Sequence, residues 1–306
     1  MVIYKMKTRI APTPSGFLHV GNAVSFLITY CLAKSENGKL LLRIDDLDRE
    51  RYRKEYVEDI FYALDWLGIQ YDEGPSSVAD FDKYWSQHQR LSLYDDALKS
   101  SLEQEWFYAC DCTRKDLVAS GNYPVYDGKC RDLKKSFLKN MAWRWRIKEN
   151  TSIHWIDLIQ ADTTVNLSKQ MGDFVVKQKN GLPSYQLGSY VDDLHFNITH
   201  IIRGADLLTS TAAQLYMATC WQSTAFQHIY FGHHPLITDK NGNKLSKSAG
   251  SESLKSLRET GKTPLTIIEI VRKMLGLPDE KIKTTEELLF LCFAYKPFMN
   301  EKIRSI

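Results

Sequence analysis

Two short loops carry the residue types from which phosphate chemistry is made. The first, Arg9-Ile10-Ala11-Pro12-Thr13-Pro14-Ser15-Gly16-Phe17-Leu18-His19-Val20-Gly21-Asn22, joins a strand-like segment to a helix-like one. Ligands of open α/β sheets bind beyond the carboxyl ends of strands, and a helix N-terminus there attracts phosphate. Gly16 and Gly21 let a ligand approach the backbone closely, while Pro12 and Pro14 stiffen the loop. His19, at the helix start, can donate to a phosphate oxygen. The loop is neither a Gly-x-Gly-x-x-Gly dinucleotide turn nor a P-loop. The second loop, Lys244-Leu245-Ser246-Lys247-Ser248, follows the turn Asp239-Lys240-Asn241-Gly242-Asn243. Two lysines and two hydroxyls in such a loop suit a developing polyphosphate charge. Taken singly, the first loop reads equally well as a stiff turn with a capping histidine, and the second as a solvated basic loop.

Other clusters carry weaker signals. Cys110-Asp111-Cys112 and Cys130 offer three thiolates to Zn²⁺, which takes four tetrahedral ligands in a structural site; three unmetallated thiols are the alternative. Cys31, Cys220 and Cys292 lie in apolar helical stretches and read as core. His233-His234-Pro235 with His228 lacks metal spacing and reads as structural, near a nucleotide at most. Trp143-Arg144-Trp145-Arg146 could contact RNA, but a half-buried strand with a solvated basic face suits its period better. Asp192-Asp193 fits a metal-ligand pair or a helix-end cap.

The elements that must position these residues follow from hydrophobic periodicity. Thr8–Ala11 reads as a strand, residues 23–36 as a helix stopped by Asn37-Gly38, Leu40–Ile44 as a strand buried on both faces, and residues 52–67 as a helix closed by Gly68. That alternation predicts a doubly wound α/β sheet. A long polar helix is expected over residues 82–105. Residues 105–170 then read as an insertion, with 143–147 and 154–159 as antiparallel strands. The α/β pattern is expected to resume at 174–176, with a helix at 185–191, a strand at 198–203 and a helix at 209–219. Past Gly250 the pattern is helical, over 264–275 and 285–295. The expected organisation is a catalytic domain formed by 1–104 and 171–250, the insertion 105–170, and a helical C-terminal region 251–306.

Composition limits the alternatives. Among 306 residues, 43% are hydrophobic and 25% charged, which excludes a disordered tail protein, a collagen-like rod and a polybasic arm. Forty basic against 37 acidic residues leave a net charge of +3, so any basic surface must be local. Ala23–Ala33 is far short of the roughly 20 apolar residues of a membrane span. The N-terminal residues lack the apolar core of a secretory signal, and six cysteines make no disulfide framework; a reducing, cytoplasmic location is expected.

Together the loops say more than they do singly. The His-Val-Gly-Asn turn opening the first helix, with Lys-Leu-Ser-Lys-Ser after the last strand, resembles the class I aminoacyl-tRNA synthetases. Arg9 to Asn22, Leu42-Arg43-Ile44-Asp45-Asp46-Leu47-Asp48 and Ile202-Arg203-Gly204-Ala205-Asp206-Leu207, in that order, resemble the glutamyl-tRNA synthetase family over about residues 8–250. The resemblance implies a Rossmann-like α/β fold, a doubly wound parallel sheet with an inserted α+β subdomain and a small helical C-terminal region. It implies ATP, with Mg²⁺ carried on its phosphates, held by Pro12, Gly16, His19, Gly21, Asn22, Ser246 and Lys247, with His19, Lys244 and Lys247 catalytic. Glutamate would be held by Arg9, Ile10, Ala11, Pro12, Thr13, Asp45, Tyr185 and Arg203. Asp45 departs from the family pattern, which usually has Glu there to receive the substrate amino group; to make that contact the shorter side chain needs a bridging water or a backbone shift.

Cys110-Asp111-Cys112 with Tyr126-x-x-x-Cys130 resembles the zinc site of the glutamyl-Q tRNA(Asp) synthetases, which implies Cys110, Cys112, Tyr126 and Cys130 as ligands of a structural Zn²⁺. Only 58 residues follow Ser248, so no anticodon-binding domain is expected, which points the same way. That resemblance implies a monomer that activates glutamate with ATP, without needing tRNA for that step, and attaches it to queuosine in the anticodon loop of tRNA(Asp). The alternatives are a minimal synthetase charging the acceptor end of tRNA(Glu), a nucleotidylyltransferase with another substrate, and a silent binding paralogue; intact His19, Lys244 and Lys247 argue against the last.

Overall fold

Alternating apolar runs build a parallel sheet across which the first helix packs. The computed structural model describes residues 5–119, 121, 125–237 and 252–298; Lys244, Ser246 and Lys247 lie outside them. Strand β1 (Lys7–Ile10) leads through the first loop into α1 (Val20–Ser35) and on to β2 (Lys39–Leu42), which pairs with β1 in parallel, Lys7 opposite Lys39. α1 ends where Asn37 takes a positive φ and the Gly38 N–H reaches the Ala33 carbonyl at 2.7 Å. Helix α2 (Lys54–Trp66) buries Val57, Ile60, Ala63 and Leu64, the stripe expected at helical period.

Residues 82–105 differ from expectation. A π-helical turn, Phe81–Trp85, and a 3₁₀ turn, Gln87–Arg90, precede α3 (Leu91–Lys99), and the chain kinks at Ser86. The kink has a local cause: the carboxylate of Asp46 accepts from the Ser86 hydroxyl at 2.6 Å and the Gln87 N–H at 2.7 Å. A continuous helix would have committed that N–H to its own carbonyl ladder.

The insertion is built from antiparallel pairs. β3 (Phe107–Cys110) is followed by the short α4 (Arg114–Ala119), and β4 (Ala142–Trp145) pairs with β3. β5 (Ser152–Asp157) and β6 (Ala161–Asn166) form a separate hairpin. The two predicted strands are therefore antiparallel, but to other partners than each other. β7 (Val175–Lys177) pairs antiparallel with β4. Residues 174–176 thus extend the insertion's sheet instead of resuming the parallel one, a distinction that an apolar run cannot reveal because both environments bury it.

The parallel pattern resumes with α5 (Tyr185–His195), β8 (His200–Gly204), α6 (Leu208–Cys220) and β9 (Tyr230–His234), β9 running parallel to β8. The Thr199 N–H donates to the Lys7 carbonyl at 2.9 Å, setting β8 beside β1. The order across the fold is β2-β1-β8-β9, with its reversal between β1 and β8. This is the Rossmann-like arrangement expected, and the switch point is where such sheets bind ligands. Beyond it, α7 (Leu254–Glu259), α8 (Leu265–Met274) and α9 (Thr285–Tyr295) form the helical C-terminal region. α8 and α9 pack on α1, and Val24, Leu27, Ile268, Val271, Leu288 and Cys292 share one core. α1 is consequently buried on nearly every side. No helix among the described residues is long and apolar enough to cross a membrane.

Candidate active site

At the N-terminus of α1, His19 is both cap and presenter. Its Nδ1 accepts from the Gly21 N–H at 3.1 Å, while its own N–H donates to Asn22 Oδ1 at 3.1 Å, a reciprocal capping box. A side chain at Gly21 would put its Cβ 2.9 Å from the His19 ring, so only glycine lets the ring fold over the turn. With Nδ1 occupied as an acceptor, neutral imidazole carries its proton on Nε2, a donor beside the positive end of a 16-residue helix. Pro12 is buried, and its carbonyl accepts from the Asp45 N–H at 2.8 Å, tying the first loop to the end of β2. Thr13 is exposed; Ala11 and Gly16 are half-buried in the same loop. On the far side, the Leu254 N–H donates to the Leu18 carbonyl at 2.8 Å, and Ser253 bridges to His19.

At the carboxyl ends of the strands lies a buried ionic lattice. Asp193 accepts from Arg9 Nε at 2.9 Å and from Arg43 at 2.7 Å. Arg43 also grips both oxygens of Asp45, at 2.7 and 3.0 Å. Asp192 accepts from Arg90 at 2.9 Å, from the Tyr94 hydroxyl at 2.8 Å and from Gln87 at 2.8 Å. Both aspartates are wholly buried. Burial alone would push the Asp193 carboxyl up, but Arg9 and Arg43 outweigh it and hold it below the usual range. Burial does win at Asp45, whose carboxyl is raised despite Arg43. The reading of Asp192-Asp193 as metal ligands is overturned, because arginines and neutral donors saturate them. Asp45 sits at the predicted position with both oxygens already engaged by Arg43. Sequence reasoning missed Arg43, although its place two residues before Asp45 at a strand end puts both on one face.

Arg203, at the end of β8, differs from the other arginines. It is 4% exposed, and among the described residues no carboxylate lies within ion-pair distance of its guanidinium. Its partners are neutral: Thr211 Oγ1, at 3.1 Å from Nε and 2.5 Å from one terminal nitrogen, Gln214 Oε1 at 2.9 Å, and the Tyr185 hydroxyl at 3.5 Å. Burial and the nearby Arg9 charge both weaken its hold on its proton. Its burial excludes a solvated surface role for Arg203. A buried cation with only neutral partners is a site for an anion.

The cysteine cluster is compact. The sulfurs of Cys110, Cys112 and Cys130 lie within 4.8 Å of one another. The Tyr126 hydroxyl is 3.5 Å from Cys110 Sγ and 3.6 Å from Cys112 Sγ, and Cys112 and Cys130 are 3.5 Å apart. A tetrahedral set with Zn–S of about 2.3 Å would hold its ligand atoms roughly 3.8 Å apart, so these four side chains fit that shape. Arg144 donates from Nε to Cys110 Sγ at 3.3 Å and stacks on the Tyr126 ring at 3.7 Å. Arg144 and Trp145 are buried and Arg146 is pinned to Asp132 and the Arg131 carbonyl, so the predicted solvated basic face is replaced by one turned to internal partners. Cys31 and Cys292 are core residues as expected, while Cys220 is only half-buried.

A parallel sheet with its switch point lined by buried arginines, beside a helix N-terminus capped by His19, is an arrangement whose charge suits anionic ligands. Residues 5–289 match the family model of the catalytic domain of class I tRNA synthetases (E and Q), and the chain belongs to that family. It is 34% identical over 302 residues to a glutamate–tRNA ligase of Aquifex aeolicus, covering 93% of this chain and 61% of that protein. It is 32% identical over 300 residues to glutamate–tRNA ligase 1 of Thermoanaerobacter pseudethanolicus, with the same coverage of 93% and 61%. A crystal structure of the glutamate-tRNA synthetase of Elizabethkingia anophelis superposes with a TM-score of 0.75 at 26% identity, over 94% of this chain and 65% of that one. The chain thus spans about three-fifths of the length of these relatives.

Proposed function

We propose that this chain activates glutamate with ATP and transfers it to queuosine in the anticodon loop of tRNA(Asp). The observation that carries the first half is Arg203, a buried guanidinium awaiting a carboxylate at the switch point. The side-chain carboxylate of glutamate meets Arg203, and the ammonium falls to Asp45, whose oxygens each keep a lone pair beyond the bond from Arg43. The α-carboxylate oxygen attacks the α-phosphorus of ATP, the bond to the β-phosphate oxygen breaks, and pyrophosphate leaves. His19 Nε2–H and the amides opening α1 stabilise the developing charge, joined by Lys244, Ser246 and Lys247 of the second loop. A hydroxyl of the acceptor then displaces AMP from the mixed anhydride.

An RNA acceptor suits the charge distribution. The exposed Lys129, Lys134, Lys139 and Lys148 make a local basic surface on a chain whose net charge is only +3. Exposed Phe137 and Leu138 beside Lys139 add stacking and apolar area to that segment.

Zinc fits the four side chains around Cys130, where it would supply a structural crosslink between β3 and the loop preceding β4. About one equivalent of zinc per chain is expected by elemental analysis. Cys130→Ser should lose the metal and lower the melting temperature; an unchanged chain without zinc would identify the cluster as three thiols only.

The deciding experiment is glutamate-dependent ATP–pyrophosphate exchange without tRNA, with aspartate and glutamine as controls, followed by transfer to queuosine-containing tRNA(Asp). The names of the relatives favour a second reading, charging of tRNA(Glu). Exchange that appears only when tRNA(Glu) is added would select it, and silence in every condition would point to another adenylylation substrate.

A further inference from the structure

We propose that Asp157, His233 and Thr211 form a directional hydrogen-bond relay that positions Arg203 and makes it selective for the longer of two acidic side chains. This rests on glutamate being the substrate. The four residues come from separate elements: Asp157 from the end of β5 in the insertion, His233 from β9, Thr211 from α6 and Arg203 from β8. Asp157, His233 and Thr211 are wholly buried. The Thr211 oxygen receives two N–H groups of Arg203, so its remaining role is to donate. His233 Nε2 lies 2.7 Å away, a nearer acceptor than the Leu207 carbonyl at 3.3 Å. His233 must therefore be neutral with its proton on Nδ1, which faces Asp157 Oδ2 at 2.5 Å.

Asp157 is built to stay ionised. Its other oxygen accepts the backbone N–H groups of His233, Ile159 and Gln160, at 2.9, 3.0 and 3.0 Å, and the Trp155 indole donates to Oδ2 at 3.2 Å. Every proton in the chain thus points from Arg203 toward Asp157, and no member can reverse without stranding a buried donor.

The consequence falls on the guanidinium. Nε and one terminal nitrogen are committed to Thr211 and Gln214, which leaves the other terminal nitrogen, whose only described partner is the Tyr185 hydroxyl at 3.5 Å, to meet the ligand. A guanidinium pinned on one edge cannot swing forward to follow a carboxylate one methylene nearer the backbone. The relay therefore converts a strong anion site into a length-selective one.

Thr211→Val and Asp157→Asn test this in the full chain by pyrophosphate exchange. Valine keeps the shape and removes the hydroxyl. Asparagine can donate to His233 Nδ1 and drive the proton to Nε2, facing an oxygen that Arg203 already occupies, the wrong-tautomer effect known for aspartate-to-asparagine changes beside a histidine. The expected result for both is a KM for glutamate raised tenfold or more, an unchanged KM for ATP, and a reduced preference for glutamate over aspartate. Thr211→Ser should keep the wild-type values. If Thr211→Val does not fold, Asp157→Asn and Thr211→Ser decide between them. Unchanged glutamate KM and preference in the folded variants, or equal changes in the two KM values, would overturn the relay. Absence of glutamate-dependent exchange in the wild type would instead overturn the substrate.

Discussion

Replacement of Arg203 by alanine is expected to lower kcat/KM for glutamate by about 10²- to 10⁴-fold, the loss of a desolvated charge pair of about 3–5 kcal/mol. The KM for ATP should move little, because the groups proposed to bind its phosphates lie at the start of α1, away from the end of β8. Stability should respond far less than activity. Arg203 pays for its burial without a counter-ion, so removing it relieves an electrostatic penalty while opening a cavity. Near-normal exchange in a folded Arg203→Ala protein would move the substrate carboxylate elsewhere. A collapse of both folding and exchange would mean that Arg203 is chiefly structural.

The opposite pattern is expected at Asp193. This carboxylate joins Arg9 of β1 to Arg43 after β2, and replacing it with alanine leaves two buried guanidinium groups short of a partner. The cost should be about 3–5 kcal/mol, on the order of 10 °C in melting temperature for a chain of this size. The pH dependence has a definite sign. Asp193 is held below its ordinary carboxyl value of 3.8, and Asp157 is pushed down to about 2 by His233 and backbone donors despite burial. A folded-state value below the unfolded one contributes stability that is complete above the unfolded value and lost as pH falls through the folded one. Asp45, raised by burial, works in the opposite direction and softens the effect. Wild-type stability should therefore fall as pH drops from 3.8 toward about 2, and Asp193→Asn should begin lower and fall less steeply. Melting curves across that range read both; a variant with wild-type stability at neutral pH would show that the lattice does not hold the two strands to α5.

Much of the parallel sheet was legible in the sequence because its signals are local. α1 and α2 end at Asn37-Gly38 and Gly68 as expected, and β1, β2 and β8 fall on segments read as strands. The segment before the insertion and the insertion itself were read less well. The kink at Ser86 depends on Asp46, 40 residues away, and β7 is an apolar run whose partner strand no periodicity names. β6 was missed because Ala161–Asn166 is largely polar and becomes a strand through its pairing with β5.

For the candidate site the division is similar. The His19 turn, the cysteine spacing, Arg203 and the family they resemble were legible in short segments, because capping, close backbone approach and ligand spacing are short-range requirements; the lysine loop lies outside the described residues. Which arginine meets a carboxylate and which waits for one was decided only by the tertiary structure. Arg9 and Asp193 are 184 positions apart, Arg43 and Asp193 150, and Asp157 and His233 76. A charge declares nothing about its partner until folding removes the water between them. Arg9 and Arg203 read alike as candidate carboxylate binders; once buried, one is neutralised by Asp193 and the other is left open to a ligand.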